Sequence, residues 1–100
     1  MHYLLIYEVV KDYATLRVQY REAHLAYAKK AIERGELLLG GAFANPVDGA
    51  VLLFNANSPK VAETFAMNDS YVVNGLVIKW NVREWTTVVG PWATEPVNVK

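Results

Sequence analysis

The sequence predicts an α+β fold in a single domain. Apolar, β-branched segments of strand length alternate with two segments of helix length, and glycine, proline or asparagine separate them. With 53% hydrophobic residues in a chain of 100, the protein has enough apolar surface for a modest core. The resulting order, β-α-β-β-α-β, predicts a four-stranded antiparallel sheet with two helices on one face, the ferredoxin-like arrangement.

Composition and charge exclude several classes of function. Ten acidic residues balance ten basic residues, so no net charge points to nucleic acid or an anionic membrane. Cysteine is absent and the two histidines lie far apart, so we expect no metal and no other cofactor. The N-terminal apolar run is too short to span a bilayer, and no cleavage site follows a basic segment. We therefore expect a cytoplasmic protein with no membrane partner.

The first half of the chain predicts a strand, a long helix and a second strand. Residues 3–10 are apolar, aromatic and β-branched, which favours a strand. Asp12 is a candidate N-cap for a helix that runs through about Arg34 and ends at Gly35. The segment ELLLGGAF, 36–43, predicts the second strand, and its glycine pair suits a bulge or a close backbone approach.

The second half predicts two more strands and a shorter helix. The third strand, GAVLLFNA at 49–56, follows the turn segment ANPVD. Ser58 and Pro59 suit the N-cap and the first position of a helix that ends near Asn68. The segment DSYVVNG then forms a compact link to a fourth strand over 76–89.

The strand faces predict a dimer. In the first strand, Leu4 and Ile6 point to one side while other apolar residues point to the opposite side, and 51–54 are apolar on both faces. A sheet with helices on one side only normally alternates apolar and polar residues, so something must cover the second face. We expect a second copy packed sheet to sheet, and a dimer of dimers is equally compatible with the pattern.

The fourth strand and the tail complete the chain. Four alternate positions share an apolar face in the strand, namely Leu76, Ile78, Trp80 and Val82. A shift of this phase to Trp85 suggests a bulge. The tail has two prolines and no periodicity, so we predict one domain over 1–90 and an extended arm over 91–100. The arm is either laid on the partner or loosely held.

Three basic side chains lie on the apolar half of the first predicted helix. Arg17, Arg21 and His24 fall at i, i+4 and i+7 and so share a face. A lone histidine on such a face is commonly a core residue, and arginines can extend to water. Two arginines beside a histidine also favour a nearby anion, which suits a pocket for an anionic or phenolate-like ligand. Both interpretations stay open from spacing alone.

Asp69 is the candidate carboxylate partner of His24. A histidine that acts as acid or base usually has an orienting carboxylate. Asp69 continues the inward spacing of Val61 and Phe65 just past the second helix. The alternative is a helix-ending carboxylate that accepts from nearby backbone amides.

Other polar and aromatic residues are assigned structural roles. We expect Tyr20 and Tyr27 to pack in the core and the three tryptophans to lie in the core or at the dimer interface. His2 is expected to be an unconstrained terminal residue. Gly40 and Gly41 lack the glycine and lysine that would follow in a phosphate-binding loop, and they suit a pocket floor instead.

Several motifs resemble the YciI-like, or YCII-related, family. The matching segments cover most of residues 3–90 in the family's order: YREAHLAYAKKAIERGELLLGGAF, PVDGAVLLFNA, AETFAMNDSYVVNGLV and WNVREWTTVVG. The most specific are Arg21 with His24-Leu25, and the segment 69–76, which is similar to the family's Asp-Pro-Tyr/Phe-Val-x-x-Gly-Leu pattern. Ser70 stands where the family usually has proline.

The resemblance implies a ferredoxin-like fold that dimerises through its sheets into a dimeric α+β barrel. It also implies a histidine–aspartate pair in a cleft, carried here by His24 and Asp69, with Arg21 alongside. We add Arg17, which shares the helix face, as a second candidate substrate-binding arginine.

Two further residues of the matched motif are candidates for substrate binding. Tyr71 supplies a hydroxyl, and Ser70 gains a hydroxyl and a backbone N–H relative to proline. The function expected from the resemblance is a small-molecule lyase or isomerase that uses acid–base chemistry on an anionic or aromatic ligand. Dehydrochlorination in aromatic breakdown is one example. The alternatives are a non-catalytic dimeric metabolite-binding or accessory module, and a buried structural pair.

Overall fold

The computed structural model describes residues 1–98 as a four-stranded antiparallel sheet packed with helices. The strands are β1 (His2–Val9), β2 (Leu37–Ala42), β3 (Gly49–Asn55) and β4 (Val77–Trp85), in the order β2-β3-β1-β4 across the sheet. The helices are α1 (Tyr13–Leu16), α2 (Arg21–Glu33), α3 (Lys60–Asn68) and α4 (Ser70–Val73). The predicted α+β class and four-stranded antiparallel sheet are confirmed. Among the described residues, no helix has the length and apolarity needed to cross a membrane.

The core lies between one face of the sheet and the helices. Alternate residues of β1 are buried on that face, namely Tyr3, Leu5 and Tyr7. From α3, Phe65 packs edge-on against Phe54 of β3, with ring centroids 5.2 Å apart. Since both rings are almost fully buried, replacing either with alanine is expected to cost about 3–5 kcal/mol of unfolding free energy. This core fixes the positions of the helices from which the candidate site is built.

The prediction of one continuous helix from Asp12 to Arg34 is wrong. A 3₁₀ turn, Arg17–Gln19, separates α1 from α2, and Tyr20 lies at the junction with φ −110°. Asp12 makes no side-chain cap hydrogen bond. β-Branched and aromatic residues lower helix propensity in this stretch, and Tyr13 at the start of α1 is buried in the core.

The C-terminus of α2 agrees with its prediction. Gly35 has a positive φ of +76°, which a residue without a Cβ adopts at little cost. Its N–H donates to the carbonyl of Ile32 at 2.9 Å, and the N–H of Glu36 donates to Ala31 at 3.0 Å. These two bonds satisfy carbonyls that the end of the helix would leave unpaired.

The third helix and the segment after it differ in detail from the prediction. Ser58 Oγ accepts from the N–H of Lys60 at 3.3 Å, as an N-cap side chain does. The regular helix begins at Lys60. The link DSYVVNG contains the short helix α4, which the sequence analysis missed because one helical turn has no visible periodicity.

The irregularity in β4 lies at its start rather than at Trp85. Glu8 pairs with Lys79 and Val9 with Val77, so Ile78 has no partner in β1. Ile78 is 69% exposed and does not continue the apolar face of Trp80 and Val82. At the other end the register runs regularly to Trp85, where the strand ends well before the predicted residue 89.

The segment after β4 turns back on itself. The N–H groups of Glu95 and Val97 donate to the carbonyls of Thr87 and Val88, each at 3.0 Å. Residues 91–98 of the predicted arm thus pair back toward 87–88, and 99–100 lie outside the described residues. The division at residue 90 and a contact of the arm with a partner stay predictions.

The expectation that His2 is unconstrained is wrong. His2 is 4% exposed, and its Nδ1 lies 2.9 Å from the Thr87 hydroxyl. Its strand position explains the burial, because His2 pairs with Asn55 on one side and Trp85 on the other. The sheet therefore begins one residue earlier than predicted.

Candidate active site

Asp69 lies where the chain passes from α3 to α4. Its extended backbone, with φ −71° and ψ 130°, separates the two helices, and its carbonyl accepts from the N–H groups of Val72 and Val73. The side chain is completely buried. A buried carboxylate is stable only when hydrogen-bond donors surround it, so its partners define the site.

Three donors surround the Asp69 carboxylate. The Tyr7 hydroxyl donates to Oδ2 at 2.6 Å, His24 Nδ1 lies 2.7 Å from Oδ1, and the N–H of Tyr71 donates to Oδ1 at 3.3 Å. The carboxylate thus accepts from a backbone amide at the start of α4 and also contacts the histidine, and its role in catalysis stays a prediction. An ionised carboxylate only accepts, so the His24 ring carries a proton on Nδ1 toward Asp69.

The second ring nitrogen of His24 faces an accessible environment. The His24 side chain is 15% exposed, and Nε2 has no hydrogen bond within residues 1–98. Every buried side-chain nitrogen or oxygen among the described residues has a hydrogen-bond partner. Nε2 has none, so it is not a buried atom. With the proton on Nδ1, the neutral ring presents the Nε2 lone pair, which is the acceptor that a general base needs.

Aromatic packing fixes the plane of the His24 ring. The ring stacks on Tyr71 with centroids 3.9 Å apart and an interplanar angle of 8°. Tyr13 contacts Tyr71 edge-on at 5.7 Å. Burial raises the pKa values of both Tyr71 and Tyr13, so these rings stay neutral at ordinary pH. The histidine therefore has a defined orientation as well as a defined hydrogen bond.

A cavity of about 350 Å³ opens beside His24, between α2 and the β2 edge of the sheet. Most of its lining is apolar, and its polar groups come from Arg17, Arg21, His24 and three tyrosines. Gly40 and Gly41 lie in the wall, as expected for a pocket floor, and a Cβ at Gly40 would come 3.3 Å from Leu52 Cγ. The volume and the small number of convergent polar groups suit a small organic ligand.

The two arginines supply positive charge to the cavity. Arg17 lies 5.4 Å from the centre of the Tyr13 ring, a cation–π distance, while Arg21 is more exposed. Neither forms a salt bridge with a carboxylate in the part of the chain that the structure describes. The two arginines therefore favour a ligand with negative charge. They do not lie on one continuous helix face as we predicted, because Arg17 lies in the 3₁₀ turn and Arg21 begins α2.

The structure brings together five of the six predicted site residues. His24, Arg17, Arg21 and Tyr71 line the cavity, and Asp69 contacts two of its lining residues. Ser70 does not belong to the lining, and its hydroxyl donates to the Tyr20 carbonyl at 3.4 Å. The serine thus ties α4 to the start of α2, and its expected contact with a ligand stays a prediction.

Sequence reasoning missed two residues of the site. Tyr7 and Tyr13 both line the cavity, and Tyr7 also contacts Asp69. The alternation of residues in β1 placed the Tyr7 phenol on the same face as Tyr3 and Leu5. That pattern could not show that Asp69 is its hydrogen-bond partner. Tyr20 and Tyr27 pack against the core as predicted, and the Tyr27 hydroxyl donates to the Phe65 carbonyl at 3.0 Å.

No cluster of three metal-ligating side chains occurs within residues 1–98. The side chains at the cavity offer a candidate base at His24 Nε2, the Asp69 carboxylate behind it, and cationic groups at Arg17 and Arg21.

Comparison with known proteins adds a family and a structural neighbour. A model of the YCII-related domain matches residues 1–86. Among solved structures, the chain is similar to 5-chloro-2-hydroxyhydroquinone dehydrochlorinase from Burkholderia phenoliruptrix AC1100, solved in complex with 2,5-dihydroxybenzoquinone. The TM-score is 0.73 and the identity 22%, over 87% of this chain and 95% of that chain. A search of curated proteins gave no significant match. At this identity the structural likeness establishes a shared fold.

Proposed function

This chain belongs to the YCII-related family, and from that premise we propose that it is a small-molecule lyase. His24 removes a proton from an anionic or phenolic aromatic substrate in the cavity. The supporting observation is the 2.7 Å contact of His24 Nδ1 with Asp69, which leaves Nε2 as the accessible acceptor. An isomerase would use the same proton abstraction, but the cationic groups in the cavity favour a reaction that produces an anion.

The Asp69 carboxylate supports the base in two ways. It holds the imidazole in the tautomer with the proton on Nδ1, and it stabilises the imidazolium that forms when Nε2 accepts a proton. Because Asp69 is completely buried, water does not compete for its oxygens.

Arg17 and Arg21 stabilise the negative charge that develops on substrate and leaving group. In an elimination of hydrogen chloride from a chlorinated hydroxyhydroquinone, one ring hydroxyl first gives its proton to the carbon that bears chlorine, which forms a keto tautomer. A second hydroxyl then gives its proton to His24 Nε2, and the electron pair of its O–H bond forms a carbonyl while a ring double bond shifts to the chlorine-bearing carbon. The carbon–chlorine bond then breaks with its electron pair on chloride, so the products are the dehydrochlorinated ring, one proton on His24 and one chloride ion. No oxidant or reductant is consumed.

The dehydrochlorinase neighbour supports the choice of substrate class. Its name specifies a chlorinated hydroxyhydroquinone, and its bound compound is a dihydroxybenzoquinone. Compounds of this kind are planar, of suitable size for about 350 Å³, and acidic enough to be anionic near two arginines. We therefore extend the proposal to elimination on hydroxylated, halogenated aromatic rings.

The experiment measures chloride release from 5-chloro-2-hydroxyhydroquinone by the wild-type protein, His24→Asn and the control His2→Asn. Asparagine places an N–H donor near the position of Nδ1 but has no counterpart of Nε2, so the contact with Asp69 is kept and the base is lost. We expect His24→Asn to lower kcat/KM by about 10²–10⁴-fold and His2→Asn to leave it unchanged.

Two results would contradict this proposal. Chloride release that survives in His24→Asn would remove the base from the mechanism. Binding of 2,5-dihydroxybenzoquinone that depends on His24, without chloride release from any variant, would support the non-catalytic binding module instead. A melting temperature measured on each variant shows whether the fold is retained.

We also propose that two copies of the chain pack through the sheet face opposite the helices, as in a ferredoxin-like dimeric barrel. On this face Leu4, Ile6 and Val51 are only partly buried, while Leu39 and Trp85 are 55% and 47% exposed. Asn81 and Arg83 of β4 lie on this face beside Ile6 and Leu4, so the apolar part of the face lies mainly over β1, β2 and β3. We infer that a second copy covers it, since exposed apolar patches mark interaction surfaces.

Sedimentation equilibrium tests this assembly. Ile6→Glu is expected to give a monomer, because it places a charge in the centre of the interface. Val73→Glu on the exposed side of α4 is the control and should leave the assembly unchanged. A wild-type protein that sediments as a monomer at micromolar concentration would rule the dimer out.

A further inference from the structure

Tyr7 contacts the candidate site from the sheet rather than from the helices. Its hydroxyl donates to Asp69 Oδ2 at 2.6 Å, although 62 residues separate the two in sequence. The distance is short for a neutral hydrogen bond and typical of a hydroxyl that donates to a carboxylate. Tyr7 is 2% exposed and lies in β1, a central strand of the sheet. The phenol thus connects a central strand of the sheet to the carboxylate behind His24.

The two oxygens of Asp69 have different partners. Oδ1 accepts from His24 and from the N–H of Tyr71, while Oδ2 accepts from Tyr7. Bonds at Oδ1 alone would leave the carboxylate able to rotate about its Cβ–Cγ bond, because that torsion has a broad minimum. A donor at Oδ2 removes this freedom and fixes which oxygen faces His24.

We propose that Tyr7 is a positioning residue that acts on His24 through Asp69. By fixing the carboxylate plane, the phenol holds the His24 ring in the tautomer with its proton on Nδ1 and its free lone pair on Nε2, facing the cavity. This inference rests on the proposed function, in which Nε2 is the base, but it concerns a property of the ring that exists without substrate.

The state of the phenol supports this role. Burial and the neighbouring Asp69 charge raise the pKa of Tyr7 far above its ordinary value, so the hydroxyl keeps the proton that it donates. Tyr7 also lines the cavity, but its only hydroxyl proton is directed at Asp69. The group therefore orients the carboxylate instead of donating to a ligand.

The test is long-range ¹H–¹⁵N NMR of the His24 ring in ¹⁵N-labelled protein, at a pH where the ring is neutral. The ring ¹⁵N shifts report the tautomer directly. We expect the wild-type protein to show one tautomer, with the proton on Nδ1, and Tyr7→Phe to show a mixture in which the two ¹⁵N shifts converge. Tyr27→Phe is the control, because it also removes one phenol hydrogen bond, the partly buried one to the Phe65 carbonyl, but does not touch Asp69.

An unchanged tautomer in folded Tyr7→Phe would overturn the inference, as would an equal change in Tyr27→Phe. If Tyr7→Phe does not fold, a fluorinated tyrosine at position 7 alters the acidity of the phenol and keeps the ring. In that protein the His24 Nδ1 proton resonance is expected to shift, and an unchanged resonance would overturn the inference.

The positioning role and the lyase proposal can fail separately. A tautomer that depends on Tyr7 in a protein that releases no chloride would support positioning and contradict the lyase. Where chloride is released, Tyr7→Phe is expected to lower kcat by about 10–100-fold with KM unchanged, as is usual when a group that orients a histidine is lost. If Tyr7→Phe keeps both the wild-type kcat and the wild-type tautomer of His24, Tyr7 only packs in the core, and the positioning role is contradicted.

Discussion

His2 and His24 each use Nδ1 to contact a residue far away in sequence. His2 meets the Thr87 hydroxyl at 2.9 Å across 85 positions, and His24 meets the Asp69 carboxylate at 2.7 Å across 45. The Thr87 hydroxyl also accepts from the N–H of Thr94 at 2.9 Å, so the His2 contact belongs to the network that holds the segment after β4. The Asp69 carboxylate instead joins two groups that line a cavity.

The difference between these two regions lies in charge and access. Around His2 the partners are neutral hydroxyls and a backbone amide, which hold structure but offer no charge to stabilise an imidazolium. Around His24 the partner is a carboxylate, and two arginines line the adjoining cavity. The first hydrogen bond of a histidine therefore does not by itself define what the ring can do. The charge of the partner and the surroundings of the second nitrogen do.

The largest expected effect is that of Asp69→Ala, which removes the charge that distinguishes the two regions. The Tyr7 hydroxyl, His24 Nδ1 and the Tyr71 N–H all lose their acceptor. Each buried donor left unpaired costs about 1–3 kcal/mol, so urea denaturation should show a loss of several kcal/mol. Chloride release should disappear as well. A loss below about 1 kcal/mol would mean that the carboxylate does not anchor this region.

A smaller effect is expected from Thr87→Val, the equivalent change beside His2. Valine preserves the shape but removes the oxygen that contacts His2 Nδ1 and Thr94 N–H. We expect a loss of about 1–3 kcal/mol in unfolding free energy with unchanged chloride release. A fall in kcat would show that the two regions are coupled, and it would contradict a purely structural role for the contact of His2 with Thr87.

The smallest expected effect concerns Tyr7→Phe, and it is a change in how steeply the unfolding free energy falls at alkaline pH. Because burial and Asp69 raise the pKa of Tyr7 above 10.0, the folded protein keeps a proton that the unfolded chain loses. The stabilising contribution is complete below about pH 10 and decreases as pH rises further, by up to about 1.4 kcal/mol per pH unit for this proton. Denaturation at pH 10–11 should show a shallower pH dependence in Tyr7→Phe.

Thr87→Val is the control for this measurement, because a threonine hydroxyl does not titrate in that range. Its stability should decrease with pH as steeply as that of the wild-type protein. Tyr13, Tyr27 and Tyr71 also have pKa values raised by burial, so a residual slope in Tyr7→Phe is expected. A slope identical to wild type in Tyr7→Phe would contradict the burial of an intact phenol at this position.

Local patterns in the sequence were sufficient for most of the secondary structure and for the pairing of His24 with Asp69 as candidates. Alternation of apolar residues identified the strands, and Gly35 marked the end of α2, since these signals depend only on near neighbours in the chain. The break before α2 and the helix α4 were missed, because the burial of Tyr13 and the capping of one short turn depend on contacts from elsewhere in the fold.

The sequence by itself determined which side chains share a face of one element: Arg21 with His24 on α2, and Tyr7 with Tyr3 and Leu5 on β1. Only the tertiary structure decided which faces meet. It placed Tyr7 and His24 on opposite oxygens of one carboxylate, turned Ser70 toward the Tyr20 carbonyl, and buried His2 against Thr87. The physical reason is that periodicity specifies the direction of a side chain relative to its own backbone. The partner across 45 to 85 residues is set by how helices and strands pack.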